Sequence, residues 1–379
     1  MTIVESPVRV AVLDGTLSVE REGDASCFHP AWLLDRSTSE VDVDASNRQR
    51  LFEPADVPND FAVVAAKLDG GTVCVSFSDG KERHFLLDEL AQWRSDAVHP
   101  GAWPAPESWE QLGHLPTISW CDVVAGRTET LHRLVGDFHR FGCFLIVDGP
   151  TDVGSLHDVA ERFGRVSPTS FGTLFDVVSI PNPSDLAYTP VGLSPHTDQP
   201  YRRPAPGLQF MHTLANDAPG GESTMTDGLA AVEALRRADP DGFRLLSELS
   251  IEFRYDIGSD VVINHAPIIE LHPDGSLRQF RFSPRLDFVP YVDVHVLDRF
   301  YAARRWLAEW LADPAHLFEF KMQAGDIWVV DNHRVLHGRL PFDPAGGHRH
   351  LQGCYIDHDG PATMWRLLTR RLETGYDRH

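Results

Sequence analysis

The stretch GDIWVVDNHRVLHGR, residues 325–339, predicts a buried strand at 327–330 and places His337 close to the end of a further strand. More strands bounded by turn residues are predicted from about residue 174 onward, at 174–180, 208–214, 250–255, 268–271, 277–282, 317–322 and 350–356. Two helical stretches interrupt them, at 229–249 and 296–311. Because these strands do not alternate with helices, the fold class is predicted as mainly β with helical insertions, an antiparallel barrel or double sheet.

The first part of the chain predicts a separate small domain. Alternating segments at 8–12, 61–68 and 72–77, separated by glycine-containing turns, indicate a small antiparallel sheet within residues 1–93. Residues 94–116 are rich in proline and predict a linker. Residues 117–379, which begin with a predicted helix at 129–141 and strand at 143–147, form the second predicted domain.

Composition excludes several classes of protein. A formal net charge of −21 over 379 residues argues against a nucleic-acid binder and against a protein that binds anionic membranes. The first 15 residues lack the pattern of a secretory signal, and no apolar run is long enough to span a bilayer. The five scattered cysteines form no CxxC pair, so we expect reduced thiols in a cytoplasmic protein.

Two histidines and a carboxylate form a candidate metal site. His196-Thr197-Asp198 precedes the predicted strand at 208–214, and His337 lies far downstream. A second His-x-Asp tripeptide, at 272–274, occurs in a Pro-Asp-Gly-Ser hairpin turn and is set aside. Taken singly, His196 could be a surface residue bonded to its own loop, and His337 could be a core histidine. The combined pattern, with Arg349 shortly after His337, favours a metal site.

The residue types indicate the chemistry. Two imidazoles and one carboxylate bind one face of Fe(II) and leave the opposite face open, as in non-haem oxygenases. The open face can accept 2-oxoglutarate and O2, while the planar guanidinium of Arg349 matches the distal carboxylate of 2-oxoglutarate. The predicted activity is hydroxylation of an unactivated C–H bond of a small molecule, with release of succinate and CO2.

Longer motifs extend this pattern over most of the chain. They include Gly220-Gly221-Glu222-Ser223, Leu336-His337-Gly338-Arg339 and Arg349-His350-Leu351-Gln352-Gly353-Cys354-Tyr355. Together with the triad, they resemble the γ-butyrobetaine hydroxylase and trimethyllysine hydroxylase branch of the taurine-dioxygenase-like superfamily. The resemblance implies a double-stranded β-helix (jelly-roll) behind a small N-terminal β domain, usually as a homodimer. It also implies Fe(II) on the triad, and a 2-oxoglutarate site formed by Arg349, Ser223 and Met211.

The N-terminal domain departs from the family pattern. The family commonly carries a zinc site there with three closely spaced cysteines, but this chain has Ser37, Ser39 and Asp42 at those places, with His84 at the position of a fourth ligand. Serine hydroxyls are poor zinc ligands compared with thiolates. We therefore expect no structural zinc.

The substrate positions are partly retained. The positions that match the family's aromatic cage for a trimethylammonium group are Phe171, Phe175, Tyr188 and Tyr355. Changes occur where the family binds the substrate carboxylate and beside the triad, at Asp185, Ser283 and Gln199. An ionised Asp185 would repel a carboxylate unless Arg202, Arg203 or Arg285 compensates.

Three functions therefore stay open. The cage residues favour hydroxylation of a betaine-like trimethylammonium compound. The changes at Asp185 and Ser283 favour the same chemistry on another specialised metabolite, by hydroxylation, desaturation or cyclisation. A non-catalytic barrel that binds iron or 2-oxoglutarate is the third reading.

Overall fold

The computed structural model describes residues 8–94, 103–178 and 189–375. The chain divides into two compact units, Met1–Ala102 and Trp103–His379, and the division falls inside the predicted linker. Within the second unit, Trp109 and Leu115 are buried in a core cluster, so the later part of the predicted linker packs as part of that unit. No helix among the described residues is long and apolar enough to cross a membrane.

The first unit contains two antiparallel three-stranded sheets. One consists of β1, β2 and β3, and the other of β4, β5 and β6. Their bounds are Arg9–Leu13, Thr16–Arg21, Asp24–Phe28, Val63–Asp69, Thr72–Phe77 and Glu82–Leu86. Two helices, α1 (Pro30–Leu34) and α2 (Leu87–Arg94), and a 3-10 helix at Pro54–Asp56 complete the described part of this unit.

A buried ionic network occupies the region where the family would have zinc cysteines. The Ser37 hydroxyl donates to Oδ2 of Asp42 at 2.6 Å, and Arg83 donates to both oxygens of Asp42 at 2.6 and 2.8 Å. A second carboxylate, Asp79, accepts from Arg83 at 2.8 Å. On the neighbouring strands, Cys74, Glu82 and His84 bring possible ligand atoms within 4.8 Å of one another.

The second unit is built around two larger sheets. The four-stranded sheet has the order β10-β20-β12-β18 and the six-stranded sheet the order β7-β8-β19-β11-β21-β9. The bounds in chain order are Thr117–Ser119 (β7), Cys143–Val147 (β8), Phe175–Val178 (β9), Leu193–His196 (β10), Leu208–Asn216 (β11), Ser223–Asp227 (β12), Phe318–Phe320 (β18), Ile327–Asp331 (β19), Val335–Arg339 (β20) and Arg349–Ile356 (β21). Only β7 and β8 pair in parallel among the described ladders of these two sheets.

Smaller sheets and helices cover this core. β14, β13 and β17 form one small sheet and β15 with β16 another, at Val261–Ala266, Ile251–Asp256, Asp287–Phe288, Ile269–Leu271 and Leu277–Phe280. The helices are α3 to α9, at Trp120–Val124, Thr128–Phe141, Ser155–Phe163, Gly228–Ala238, Pro240–Glu248, Val294–Ala312 and Asp359–Thr374, with a 3-10 helix at Pro314–His316. The second unit is thus mainly β with helical insertions, as the sequence predicts.

Side chains from the two larger sheets share one core cluster. Met225 of β12 and Phe318 of β18 pack with Met211, Trp328 and Leu351 of the six-stranded sheet. A second cluster packs α4, α5 and α9 against the six-stranded sheet. The cavity described below opens beside the cluster that joins the two sheets.

One predicted helix is wrong in its extent. The stretch 229–249 forms two helices, because Asp239 ends α6 and its carboxylate caps the first turn of α7 through the Gly242 N–H at 2.9 Å. Pro240 occupies the first position of α7, where its missing N–H and fixed φ favour a helix start.

Candidate metal centre and active site

Strand pairing brings the two histidines together. His196, the last residue of β10, is the direct cross-strand partner of His337 in β20, and their ring centroids are 4.7 Å apart. Asp198 follows, with its Oδ1 3.4 Å from Nε2 of His196 and its Oδ2 3.7 Å from Nε2 of His337. The possible ligand atoms of these residues all lie within 4.8 Å of one another, so the arrangement can hold one metal ion on a single face.

The backbone around the triad is fixed on two sides. Thr197 exchanges hydrogen bonds with Phe282: its N–H donates to the carbonyl at 3.0 Å, and its hydroxyl accepts from the Phe282 N–H at 2.9 Å. The Asn332 side chain accepts from the Asp198 N–H at 2.7 Å and donates to the Asp198 carbonyl at 3.0 Å. The Nδ1 of His196 lies 2.9 Å from the carbonyl of Ser194, a contact that leaves Nε2 facing the triad.

The Asp198 carboxylate is also held directly. Gln209 and Tyr355 both donate to its Oδ2, at 2.8 and 2.7 Å. Burial would raise the pKa of Asp198, but His337, His196 and the Tyr355 hydrogen bond together keep that pKa well below its ordinary value. The carboxylate is therefore ionised and available as a ligand at neutral pH.

Burial also sets the protonation of His337. It lowers the pKa of this imidazole to about 4; Asp198 opposes this shift, while the electrostatic interactions with His196 and Arg285 act in the same direction as burial. A neutral imidazole is the form that binds a metal ion.

Arg349, at the start of β21, is a buried cation without a counter-ion among the described residues. It is 8% exposed, and it forms no hydrogen bond or ion pair with any residue that the structure describes. Gly221, at φ +71°, leaves space for it, since a Cβ there would come within 3.2 Å of its Nε. Burial lowers the pKa of Arg349 to about 9, and the nearby charge of Arg339 contributes. A carboxylate ligand would offset both the burial of the Arg349 charge and its repulsion by Arg339.

A cavity of about 470 Å³ contains the triad and Arg349. It brings together every predicted site residue within the described ranges: His196, Asp198, His337, Arg349, Ser223, Met211, Phe171, Phe175, Gln199, Ser283 and Tyr355. The two remaining predictions, Asp185 and Tyr188, lie outside the described residues. Ser223 is the cross-strand partner of Arg339, on the arginine-lined side of the cavity.

Aromatic rings form one wall of the cavity. Phe175 stacks on Tyr355 at 5.3 Å between centroids and lies 6.2 Å from Phe171. Phe171 in turn lies 5.7 Å from Tyr255, which stacks on Tyr201 at 5.0 Å. This continuous wall suits an apolar or cationic substrate group.

Sequence reasoning missed several of these residues. Gln209 lies in the predicted strand at 208–214 and Asn332 in the stretch 325–339 that contains His337, so their closeness in sequence to the triad residues was a usable signal. Tyr201 follows the triad in a proline-rich segment, and Tyr255 ends a predicted strand. Neither tyrosine has a pattern that separates it from an ordinary core aromatic residue.

Comparisons with known proteins identify a family and several relatives of this chain. Residues 111–355 match the model of the family described as taurine catabolism dioxygenase TauD, TfdA family. The chain is 37% identical over 357 residues to the gamma-butyrobetaine dioxygenase of Pseudomonas sp. (strain AK-1), covering 93% of this chain and 91% of that protein. It is 28% identical to the mitochondrial trimethyllysine dioxygenase of Homo sapiens, covering 90% and 82%.

A solved structure shares the fold. The crystal structure of AAD-2 in complex with Mn(II) and N-oxalylglycine covers 65% of this chain and 96% of its own, with a TM-score of 0.50 and 16% sequence identity. Family match and relatives lead to one conclusion. The chain belongs to the TauD/TfdA family, and it is a dioxygenase that depends on Fe(II), 2-oxoglutarate and O2.

Proposed function

We propose that this dioxygenase hydroxylates an unactivated C–H bond of a small trimethylammonium compound, with release of succinate and CO2. His196, Asp198 and His337 bind Fe(II), and Arg349 binds 2-oxoglutarate. The observation that carries the proposal is the convergence on one cavity of three ligand atoms within 4.8 Å, an aromatic wall and a buried arginine that no described residue neutralises.

The donor set fits Fe(II). Two imidazoles and one carboxylate, restricted to one face, are the ligand types of non-haem iron oxygenases. Iron bound there would activate O2 together with the 2-oxo acid, which is chemistry that amino-acid side chains do not supply. The chain's own contribution is positioning: Gln209 and Tyr355 orient the carboxylate of Asp198, and Asn332 orients its backbone.

Arg349 fits the distal carboxylate of 2-oxoglutarate. Its planar guanidinium can donate two parallel hydrogen bonds to a carboxylate, and no described residue competes for it. Ser223 can add a hydroxyl donor on the same side, and Met211 contributes a polarizable apolar surface. Because the ion pair between Arg349 and the distal carboxylate would be buried, water would be excluded and the attraction would be stronger.

The aromatic wall supports the trimethylammonium substrate. Phe171, Phe175 and Tyr355 occupy the positions that the resemblance gives to the cage, and Tyr201 and Tyr255 extend the wall. A quaternary ammonium is attracted to the faces of such rings. The names of the relatives, gamma-butyrobetaine dioxygenase and trimethyllysine dioxygenase, point to the same substrate class.

The proposal also extends to the arrangement of the two larger sheets, the cellular compartment and the oligomeric state. The two larger sheets, with their shared core, are proposed to form a double-stranded β-helix. All five cysteines, which lie in the described residues, are free, a state that suits a reducing cytoplasm. We also propose a homodimer without structural zinc, on the basis of the family resemblance and of Ser37 and Asp42 at the cysteine positions.

The test is succinate release from protein reconstituted anaerobically with Fe(II), after addition of O2 and 2-oxoglutarate. γ-Butyrobetaine, trimethyllysine and a trimethylammonium phosphonate are compared with a no-substrate control. Stimulation by one of these compounds, with a hydroxylated product, is the expected result. Slow succinate release without stimulation would keep the dioxygenase and reject the trimethylammonium substrate in favour of another metabolite. No succinate in any reaction would favour a non-catalytic binding protein.

A further inference from the structure

The turn between β19 and β20 holds the metal centre through one side chain. A hydrogen bond of 3.0 Å from the Arg334 N–H to the Asp331 carbonyl closes this turn. Within it, Asn332 accepts the Asp198 N–H at 2.7 Å and donates to the Asp198 carbonyl at 3.0 Å, so its amide fixes the backbone of a candidate ligand. The position of Asn332 therefore depends on what holds the turn that carries it.

His358, at the start of α9, is bound to the first residue of that turn. Its Nε2 lies 2.9 Å from Oδ1 of Asp331, and the same oxygen accepts the His333 N–H at 2.9 Å. The imidazole rings of His333 and His358 are stacked, with centroids 4.8 Å apart and planes 7° from parallel. Through Asp331, His358 can thus act on Asn332, the next residue along the chain.

The backbone at the start of α9 is packed close to the same turn. The Asn332 N–H donates to the carbonyl of Gly207 at 2.9 Å, and a Cβ at Gly207 would collide with the backbone of Asp357 and His358. Because this backbone is already held in place, the pair between His358 and Asp331 requires little further ordering of the chain.

The side chain of His358 serves this contact and does not cap its own helix. It occupies the N-cap position of α9 but makes no side-chain cap hydrogen bond. A cation at a helix N-terminus is opposed by the helix dipole, so a protonated His358 requires a compensating carboxylate. Asp331 supplies it in a partly buried setting, since the side chains of His358 and Asp331 are 39% and 15% exposed.

The charges of the surrounding groups favour an ion pair. Burial would raise the pKa of Asp331, but His358 and His333 keep that pKa well below its ordinary value. Asp331 raises the pKa of His358 above 6.5 against the effect of burial, and Asp359 acts in the same direction as Asp331. Burial lowers the pKa of both His333 and His139, so these two neighbours stay neutral above pH 6.5 while His358 changes charge there.

We propose that His358 is a positioning residue for the iron site: its imidazolium holds Asp331 and, through Asn332, keeps Asp198 in place as a ligand. The proposal rests on the proposed function, since it requires that Asp198 binds iron. It extends that function to a residue that does not line the cavity containing the triad.

Two measurements on the full-length protein test this role. The first is amide hydrogen exchange of the metal-free protein, read at Asp198, whose N–H donates to Asn332. Thr197 is the internal reference, because its N–H donates to the carbonyl of Phe282 instead. The second is anaerobic titration with Fe(II), followed by calorimetry from about pH 6 to about pH 9.

Three variants separate the charge of His358 from the general docking of α9. His358→Gln removes the charge, and His358→Lys restores a cation. The matched control is His132→Gln. His132 lies on α4 with its Nε2 2.9 Å from the Thr369 hydroxyl of α9, so this variant also removes an imidazole contact of α9 but leaves Asp331 untouched.

The expected results differ among the three. Near pH 6.5, His358→Gln should exchange the Asp198 amide at least about threefold faster and bind Fe(II) about three- to tenfold more weakly, because His358 acts one step behind a direct partner of a ligand. This difference should shrink as the pH rises through the pKa of His358, since the wild type then loses the same charge. His358→Lys should keep most of the affinity to about pH 9, because lysine titrates near about 10.4. His132→Gln should behave as the wild type.

Unchanged exchange at Asp198 or unchanged iron affinity in His358→Gln would overturn the proposal. An equal loss in His132→Gln would also overturn it, because the docking of α9 would then explain the effect. So would a loss that is independent of pH and not restored by lysine, since packing of the ring would be responsible. Failure of the proposed function has a different signature: the wild type and Asp198→Ala would bind Fe(II) alike, and the role of His358 at the iron site would fall with it, although exchange at Asp198 still depended on His358.

Discussion

The hydroxyl of Tyr355 donates a hydrogen bond of 2.7 Å to Oδ2 of Asp198, although the two residues belong to different parts of the chain. A tyrosine of the cavity wall is therefore hydrogen-bonded to a candidate metal ligand. Tyr355→Phe removes the hydrogen bond and keeps the ring. We expect about 10- to 100-fold weaker Fe(II) binding, the range found when a partner of a metal ligand is lost. Fe(II) titration of metal-free protein measures it.

Binding of substrate provides the control for that variant. Because the phenyl ring introduced by Tyr355→Phe would still stack on Phe175, the dissociation constant for the substrate should change much less than that for iron. Unchanged iron affinity would mean that Gln209, which donates to the same oxygen at 2.8 Å, orients Asp198 alone.

Asp198→Ala should abolish turnover and leave the fold intact. The substitution removes the only carboxylate among the candidate ligands of the described triad. A site that retains two imidazoles alone binds iron weakly. Succinate release and the thermal unfolding temperature are measured together. The chain supplies a matched control in Asp274→Ala, which alters the exposed His-x-Asp tripeptide of a turn and should retain full activity. Activity in the Asp198 variant would reject the triad.

Arg349→Ala should raise the KM for 2-oxoglutarate at least about 100-fold, because a buried charge-assisted carboxylate pair is lost. Arg349→Lys should recover only part of the affinity, since an ammonium cannot donate two parallel hydrogen bonds in one plane. Steady-state kinetics with varied 2-oxoglutarate separate the variants. A similar KM for 2-oxoglutarate in the wild type and both variants would show that another residue binds the co-substrate.

The sequence allowed the metal centre to be predicted because its residue types are constrained by chemistry. A His-x-Asp tripeptide, a distant histidine and an arginine, when they occur together, favour a metal site over other interpretations. Their geometry depended on strand pairing, and no local pattern predicts that β10 pairs with β20 so that His196 faces His337. Pairing between distant strands is set by tertiary packing.

The substrate wall was only partly predictable for a related reason. Phe171, Phe175 and Tyr355 were found by their positions in a family pattern, whereas Tyr255 comes from β13 in a separate small sheet. A tyrosine in an alternating strand has the same sequence signature whether it faces a core or a cavity. The split of the helix at 229–249 was visible in principle, because Asp239-Pro240 is a cap followed by a helix start.

Arg83→Ala should destabilise the first unit by about 3–5 kcal/mol, since it leaves the carboxylate of Asp42 buried without its partner. The two side chains are only 2% and 3% exposed. Urea unfolding measures the change. Arg21→Ala is the matched control, because the ion pair of Arg21 with Asp88 is exposed and 3.4 Å long, and its loss should cost less than about 1 kcal/mol.

Metal analysis completes that prediction. Purified protein should contain no stoichiometric zinc, and a chelator should leave the unfolding of the first unit unchanged, because Arg83 supplies the positive charge beside Asp42. Zinc that stays firmly bound in the Asp198→Ala variant, whose triad has lost its carboxylate, would instead indicate that Cys74, Glu82 and His84, which lie close enough to share a metal ion, form a site.

His139 should make the second unit less stable in acid. Burial lowers the pKa of His139 from an ordinary value of 6.5 to about 3, so the folded protein holds it neutral while the unfolded chain takes up a proton below pH 6.5. Its contribution to stability is therefore complete above pH 6.5 and is lost as the pH falls towards 3.

His139→Phe removes the titrating group and keeps a ring against Trp103 and Phe138. The free energy of unfolding of the wild type, relative to this variant, should fall by up to about 1.4 kcal/mol per pH unit between about pH 6 and pH 4. Above about pH 7 the difference should be constant. Urea unfolding across this range measures it, and parallel curves for the two proteins would show that His139 is protonated as readily in the folded state as in the unfolded chain.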